Sequence, residues 1–120
     1  YTSALDAIFK RLQDAGSEII FMTPNMMNTR LSEKLTVPEI CTVAHDTLNV
    51  QESGKLERYL EAAKTVCAQR GVPVCDCYAK WKRLSENGVD TTALLANSIN
   101  HPSREMAWMH AYSLVETMMR

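Results

Sequence analysis

The run Asn97-Ser98-Ile99-Asn100-His101-Pro102 carries the side chain best suited to moving a proton near neutral pH. An unperturbed imidazole titrates close to neutrality, so His101 can take a proton from a hydroxyl nucleophile and return it to a leaving group. The other two histidines have duller settings: His45 lies in a polar, irregular stretch and His110 in the last helix, where a structural role suffices. Asn25, just past an apolar strand-like run, reads either as a turn former or as a weak substrate contact facing a cleft. The four cysteines, Cys41, Cys67, Cys75 and Cys77, read as buried reduced thiols packing as small hydrophobes. Cys75 and Cys77 flank one residue of an apparent strand, which predicts opposite faces and no disulfide between them. No second pair of ligands stands at zinc-like spacing, and no glycine-rich phosphate loop is present, so neither metal nor cofactor is expected. None of the serines sits on a strand-to-helix elbow where a nucleophile is usually presented.

The elements that must position His101 follow from hydrophobic spacing. Leu5, Ile8, Phe9 and Leu12 predict one apolar helix face, with Gly16 as its stop. Glu18 to Met22 predicts a short buried strand ended by Thr23-Pro24-Asn25. Residues 25–53 predict a long loop with one short helix near Val37 to Ala44. From Gly54 to Arg70 the pattern is helical again, with Leu56, Leu60, Ala63 and Cys67 on one face and Gly71 closing it. Val72 to Asp76 predicts the second strand; Tyr78, Trp81 and Leu84 mark a helix that Asn87-Gly88 ends. A polar loop then leads to a last helix capped by Ser103, with Trp108, Tyr112, Val115 and Met119 as its apolar stripe.

Strands separated by helices predict an α/β fold with a parallel sheet. Two strands alone would leave unpaired edges and poorly covered helices, so this stretch is expected to belong to a larger sheet whose remaining strands precede Tyr1. The 120 residues suit one domain; 46% are hydrophobic, 22% are charged and the net charge is −1. That balance excludes an electrostatic case for nucleic acid or an anionic membrane surface, and no apolar run approaches a membrane span. The compartment, cytoplasmic or secreted, stays open. An uncovered sheet edge makes a partner surface, including a homo-oligomer, an expectation.

His101-Pro102, beyond the final strand and just before the terminal helix, resembles the last conserved block of the SGNH (GDSL-type) hydrolases. The order of elements around it, from the opening helix through Ile20-Phe21-Met22-Thr23-Pro24 and Val72 to Asp76, resembles the C-terminal half of that fold across the whole chain. The resemblance implies a flavodoxin-like three-layer α/β/α domain, with residues 1–120 as its C-terminal part. It also implies an esterase or lipase acting by serine acyl transfer on a small-molecule or carbohydrate O-acyl ester. His101 would be the general base. The serine and the oxyanion-hole glycine and asparagine would lie before Tyr1, in the N-terminal half of the same protein, leaving this segment inactive alone. The family's acid stands three residues before the histidine, where this chain has Ser98. A serine accepts a hydrogen bond but does not stabilise an imidazolium as a carboxylate does. Asn97 is a possible orienting residue, and Asp90 lies earlier in the same loop. The alternative is a non-catalytic α/β fragment, or a binding piece that needs a partner chain.

Overall fold

A computed structural model describes all residues from Tyr1 to Arg120. The elements run α1 (Thr2–Asp14), β1 (Phe21–Met22), α2 (Pro38–Glu52), α3 (Lys55–Arg70), β2 (Val74–Cys75), α4 (Cys77–Glu86), a short 3-10 helix (Thr91–Leu94) and α5 (Arg104–Met118). The fold is mixed α/β: five α-helices and one small parallel sheet of two strands, with Phe21 opposite Val74 and Met22 opposite Cys75.

The core is made of two apolar clusters, and α3 contributes to both. Phe9, Val66, Cys67 and Val72 are buried together, with Leu5, Ile19, Phe21 and Val74 packed around them. This cluster joins α1 and α3 to one face of the sheet. The second cluster centres on Trp81, fully buried, with Met26, Leu60, Tyr78 and Leu95, and it draws in Met106 and Met109 of α5. Helix α5 also packs on β2 and α4. Alternation along a strand sends neighbouring side chains to opposite faces, and so separates Phe21 from Met22.

Several expectations need correction. The stretch 25–53 is not one long loop: α2 fills its second half as a helix of 15 residues. Pro38 starts that helix at a position where a missing N–H costs nothing, and His45 on it is exposed. Both strands are shorter than predicted. Cys75 and Cys77 do not point to opposite faces; their Sγ atoms are 3.8 Å apart and both side chains are buried. The reason is that β2 ends at Cys75. Asp76 is the N-cap of α4, its side chain accepting from Ala79 N–H, so Cys77 already belongs to a helix and the strand alternation has stopped. All four cysteines are free thiols. Burial, followed by the neighbouring Cys75, pushes the Cys77 thiol up to about 11.

The apolar stripe of the last helix, Trp108, Tyr112, Val115 and Met119, is 61%, 69%, 56% and 82% exposed. Helix α5 instead turns Met106, Met109 and Ser113 inward. Ser113 Oγ is 2.8 Å from Lys80 Nζ and donates to the Met109 carbonyl.

Candidate functional site

The loops leaving the C-terminal ends of β1 and β2 meet above the sheet. Thr23, fully buried at the exit of β1, donates through Oγ1 to Asp76 Oδ1 at 2.9 Å and accepts from Tyr78 N–H at 2.9 Å. One threonine thus ties the end of β1 to the start of α4. Asp76 also holds Lys64 at 2.6 Å. Partial burial opposes ionisation of Asp76. The Lys64 ammonium, the Ala79 N–H and the Thr23 hydroxyl outweigh it and keep the carboxyl below its ordinary range.

The loop after β1 then supports the His101 loop. Asn28 N–H donates to the Ile99 carbonyl at 2.8 Å. Asn28 is itself fully buried; its Nδ2 donates to the Ala44 carbonyl, and its Oδ1 accepts from Thr47. Asn25 Nδ2 donates to the carbonyls of Met26 (2.8 Å) and Asn100 (3.0 Å). Asn25, the weak substrate-contact candidate, is therefore occupied in bracing the residue beside His101. Thr29 N–H donates to Thr92 Oγ1, which binds the 3-10 helix to the same platform.

Residues 95–102 close on themselves. Leu95 and Pro102 form an antiparallel bridge, and Ala96 N–H donates to the His101 carbonyl at 2.8 Å. Ser98 is nearly buried and takes a left-handed backbone with φ of 56°. Asn97 organises the turn: its Oδ1 accepts from the N–H groups of Ile99 (3.1 Å), Asn100 (3.0 Å) and His101 (3.0 Å). Three donors on that oxygen settle which side of the amide is nitrogen. Asn97 Nδ2 then donates to Asn100 Oδ1 at 2.9 Å.

Both amides reach the histidine at one ring nitrogen. Asn100 Oδ1 is an acceptor, and His101 Nδ1 lies 2.7 Å from it, closer than the 2.9 Å to Asn97 Nδ2. In the tautomer protonated at Nδ1, that nitrogen donates to Asn100 Oδ1 and the Nε2 lone pair is free. His101 is exposed, and Nε2 has no protein partner. In that tautomer the exposed Nε2 can accept a proton.

The sequence candidates separate on this geometry. Asn97 and His101 are brought together directly; Ser98 forms the turn between them, and the imidazole's partners are Asn97 and Asn100. Asp90 is taken by Arg30 at 2.6 Å and 3.0 Å, and also accepts from Ala93 N–H. Asn100, which sequence reasoning did not single out, supplies the group that holds Nδ1. No serine, threonine or cysteine of this chain is hydrogen-bonded to His101 Nε2, and no three His, Cys, Asp or Glu side chains form a metal-holding group. His110 leans on Trp81, with ring centroids 6.5 Å apart, a packing role. No helix is long and apolar enough to cross a membrane. No family model, curated protein or solved structure matches this chain.

Proposed function

We propose that this chain is the histidine-bearing part of an SGNH-type ester hydrolase. In this reading, residues 1–120 are the C-terminal part of a flavodoxin-like α/β/α domain, and the polypeptide before Tyr1 supplies the nucleophilic serine and the oxyanion-hole donors. The observation that carries it is the setting of His101: Nδ1 lies 2.7 Å from Asn100 Oδ1 and Nε2 has no protein partner, on a loop at the C-terminal ends of parallel strands. Sites in open α/β sheets form on that side.

The chemistry then runs through Nε2. It takes the proton as the serine oxygen adds to the ester carbonyl, and gives it to the departing alkoxide. It next takes a proton from water, which attacks the acyl-enzyme, and returns that proton to the serine as the acid leaves. Asn100 Oδ1 accepts from Nδ1–H throughout and steadies the imidazolium more weakly than a carboxylate would. The substrate class is a small-acyl or carbohydrate O-acyl ester. In a chain carrying the upstream polypeptide, His101→Ala lowers kcat/KM for p-nitrophenyl acetate by about 10²–10⁴-fold. Undiminished hydrolysis in that variant sinks the proposal.

A second reading, a non-catalytic α/β piece that acts by binding a partner chain, is favoured by one observation. No hydroxyl or thiol nucleophile of these 120 residues is hydrogen-bonded to the imidazole. A partner that binds with equal affinity to the wild type and to His101→Ala, in a protein without esterase activity, supports it.

A further inference from the structure

Helix α5 is apolar on two faces. Its inner face, with Met106, Met109 and Ser113, packs towards β2 and α4. Its outer face carries Trp108, Tyr112, Val115, Met118 and Met119, each more than half exposed. Between Glu105 and Glu116 the helix has no Asp, Glu, Lys or Arg. A helix with one wet side normally puts its charges there, and one that is apolar all round is covered all round.

The outer residues keep a definite spacing. Arg104, Trp108, Ala111, Val115 and Met118 follow one another at steps of four, three, four and three. That is the seam of a two-helix coiled coil, where each side chain enters a hole between four residues of the facing helix. One such hole is open on α5. Arg104, Ala107, Trp108 and Ala111, at i, i+3, i+4 and i+7, line a hollow of about 260 Å³. The two alanines offer only a methyl group each and leave it unfilled. Trp108 is steadied at its side by Tyr112, with ring centroids 5.9 Å apart.

A second copy of α5 fits this face. Run antiparallel about Ala111, it places its Val115 at the hole of the first chain and its own hole at the first chain's Val115. Such reciprocity is what a two-fold interface requires. Ala111 meets its copy at the axis, where a small side chain lets the helices approach closely. The charges stand only at the ends: Arg104 and Glu105 in the first turn, Glu116 and Arg120 at the last. Antiparallel alignment brings each end within reach of opposite charges on the other copy, whereas parallel alignment stacks every charge on its like.

The area is sufficient. At ~200 Å² for a whole large side chain, the five outer residues expose roughly 650 Å². Ala107, Ala111 and the end charges bring the face to about the ~800 Å² that each partner gives to a standard interface. The accessible surface of the chain, 7710 Å², also exceeds the ~6,500 Å² of a folded chain of this mass.

We propose that the outer face of α5 is a homodimer interface, in which α5 pairs antiparallel with α5 of a second copy and Val115 of each chain fills the hollow beside Trp108 of the other. The inference is independent of the hydrolase reading, because the hydrogen bonds that hold His101 use no side chain of this face.

Analytical ultracentrifugation tests it, on the 120-residue chain and on the natural protein extended upstream. The wild type should sediment at twice 13.5 kDa at micromolar concentration and dissociate on dilution. Ala111→Glu places two carboxylates against each other at the axis and should raise the dissociation constant at least about 100-fold. Ala111 is exposed and glutamate is a good helix former, so the circular dichroism should not change. Cross-linking reads the orientation: in a mixture of Arg104→Cys and Met118→Cys chains, mild oxidation should link one kind to the other. Arg104→Cys chains linked to their own kind would show parallel helices and overturn the pairing. A wild type that stays monomeric throughout the micromolar range overturns the proposal. So does a dimer that Ala111→Glu leaves intact, because its contact then lies elsewhere, as at the edge of β1. An extended protein that is monomeric while the 120-residue chain dimerises overturns it as well, since its own upstream segment then covers the ridge. Esterase activity enters none of these readouts: an inactive dimer would remove the hydrolase and keep the interface.

Discussion

The smallest unit with a chemical meaning is the triangle of Asn97, Asn100 and His101. One amide oxygen gathers three backbone N–H groups, its nitrogen fixes the second amide, and the second amide fixes the ring. Under the ester-hydrolase proposal, Asn100→Ala in the extended protein should lower kcat/KM by about 10-fold or more with little change in KM. Ser98→Ala should change it by less than about 3-fold, because Ser98 contributes a turn and not a contact to the ring. Steady-state kinetics on both variants would decide this, and a larger loss from Ser98 than from Asn100 would reverse the assignment. His101 was legible from residue type and from its place after the last strand. Asn97 was named as a possible orienting residue; its turn role, three backbone N–H groups on Oδ1, came only from the structure. Asn100 was not, because its role depends on the left-handed φ at Ser98, which a non-glycine residue rarely adopts and which no spacing rule announces.

At the level of elements, Asp76 joins two of them at once: it caps α4 and, through Thr23 and Lys64, pins the exit of β1 and the flank of α3. Its carboxyl is held below its unfolded value of 3.8, so the charged form contributes stability above that pH. That contribution fades as pH falls from just above 3.8 through the lower folded value. Urea unfolding of wild type and Asp76→Asn should show wild type the more stable at pH 6, with the gap closing below 3.8. A gap that persists at pH 2 would mean that shape and not charge is what the asparagine loses. Element type and order near these residues were largely readable: Ser103 caps α5 through Met106 N–H, and Gly71 ends α3. The second half of the supposed long loop was misjudged because α2 buries only Ala44 completely. A helix with so narrow an apolar face shows little 3.6-residue period against its polar background. The Cys75–Cys77 arrangement was misjudged for a local reason, a strand giving way to a helix within one residue.

For the molecule as a whole, the stripe of α5 was read as apolar, and the structure leaves it exposed. Periodicity identifies a face that wants cover; it does not say whether the cover lies within the same 120 residues. If the ridge is uncovered in the isolated chain, the double variant Trp108→Gln, Val115→Lys should unfold within about 0.5 kcal/mol of wild type. It should also scatter less light at equal concentration. A loss of several kcal/mol in denaturant titration would show that these side chains pack within the chain. Parallel pairing of β1 with β2 has a consequence in time. Thr23 and Asp76 are 53 positions apart, and closing a flexible loop of that length costs about 3.5 kcal/mol in entropy. Most of the intervening chain is α2 and α3, whose turns form from near neighbours in microseconds or less. The helices therefore come early, the strands find each other late, and the sheet edge is the last part of the chain to acquire its register.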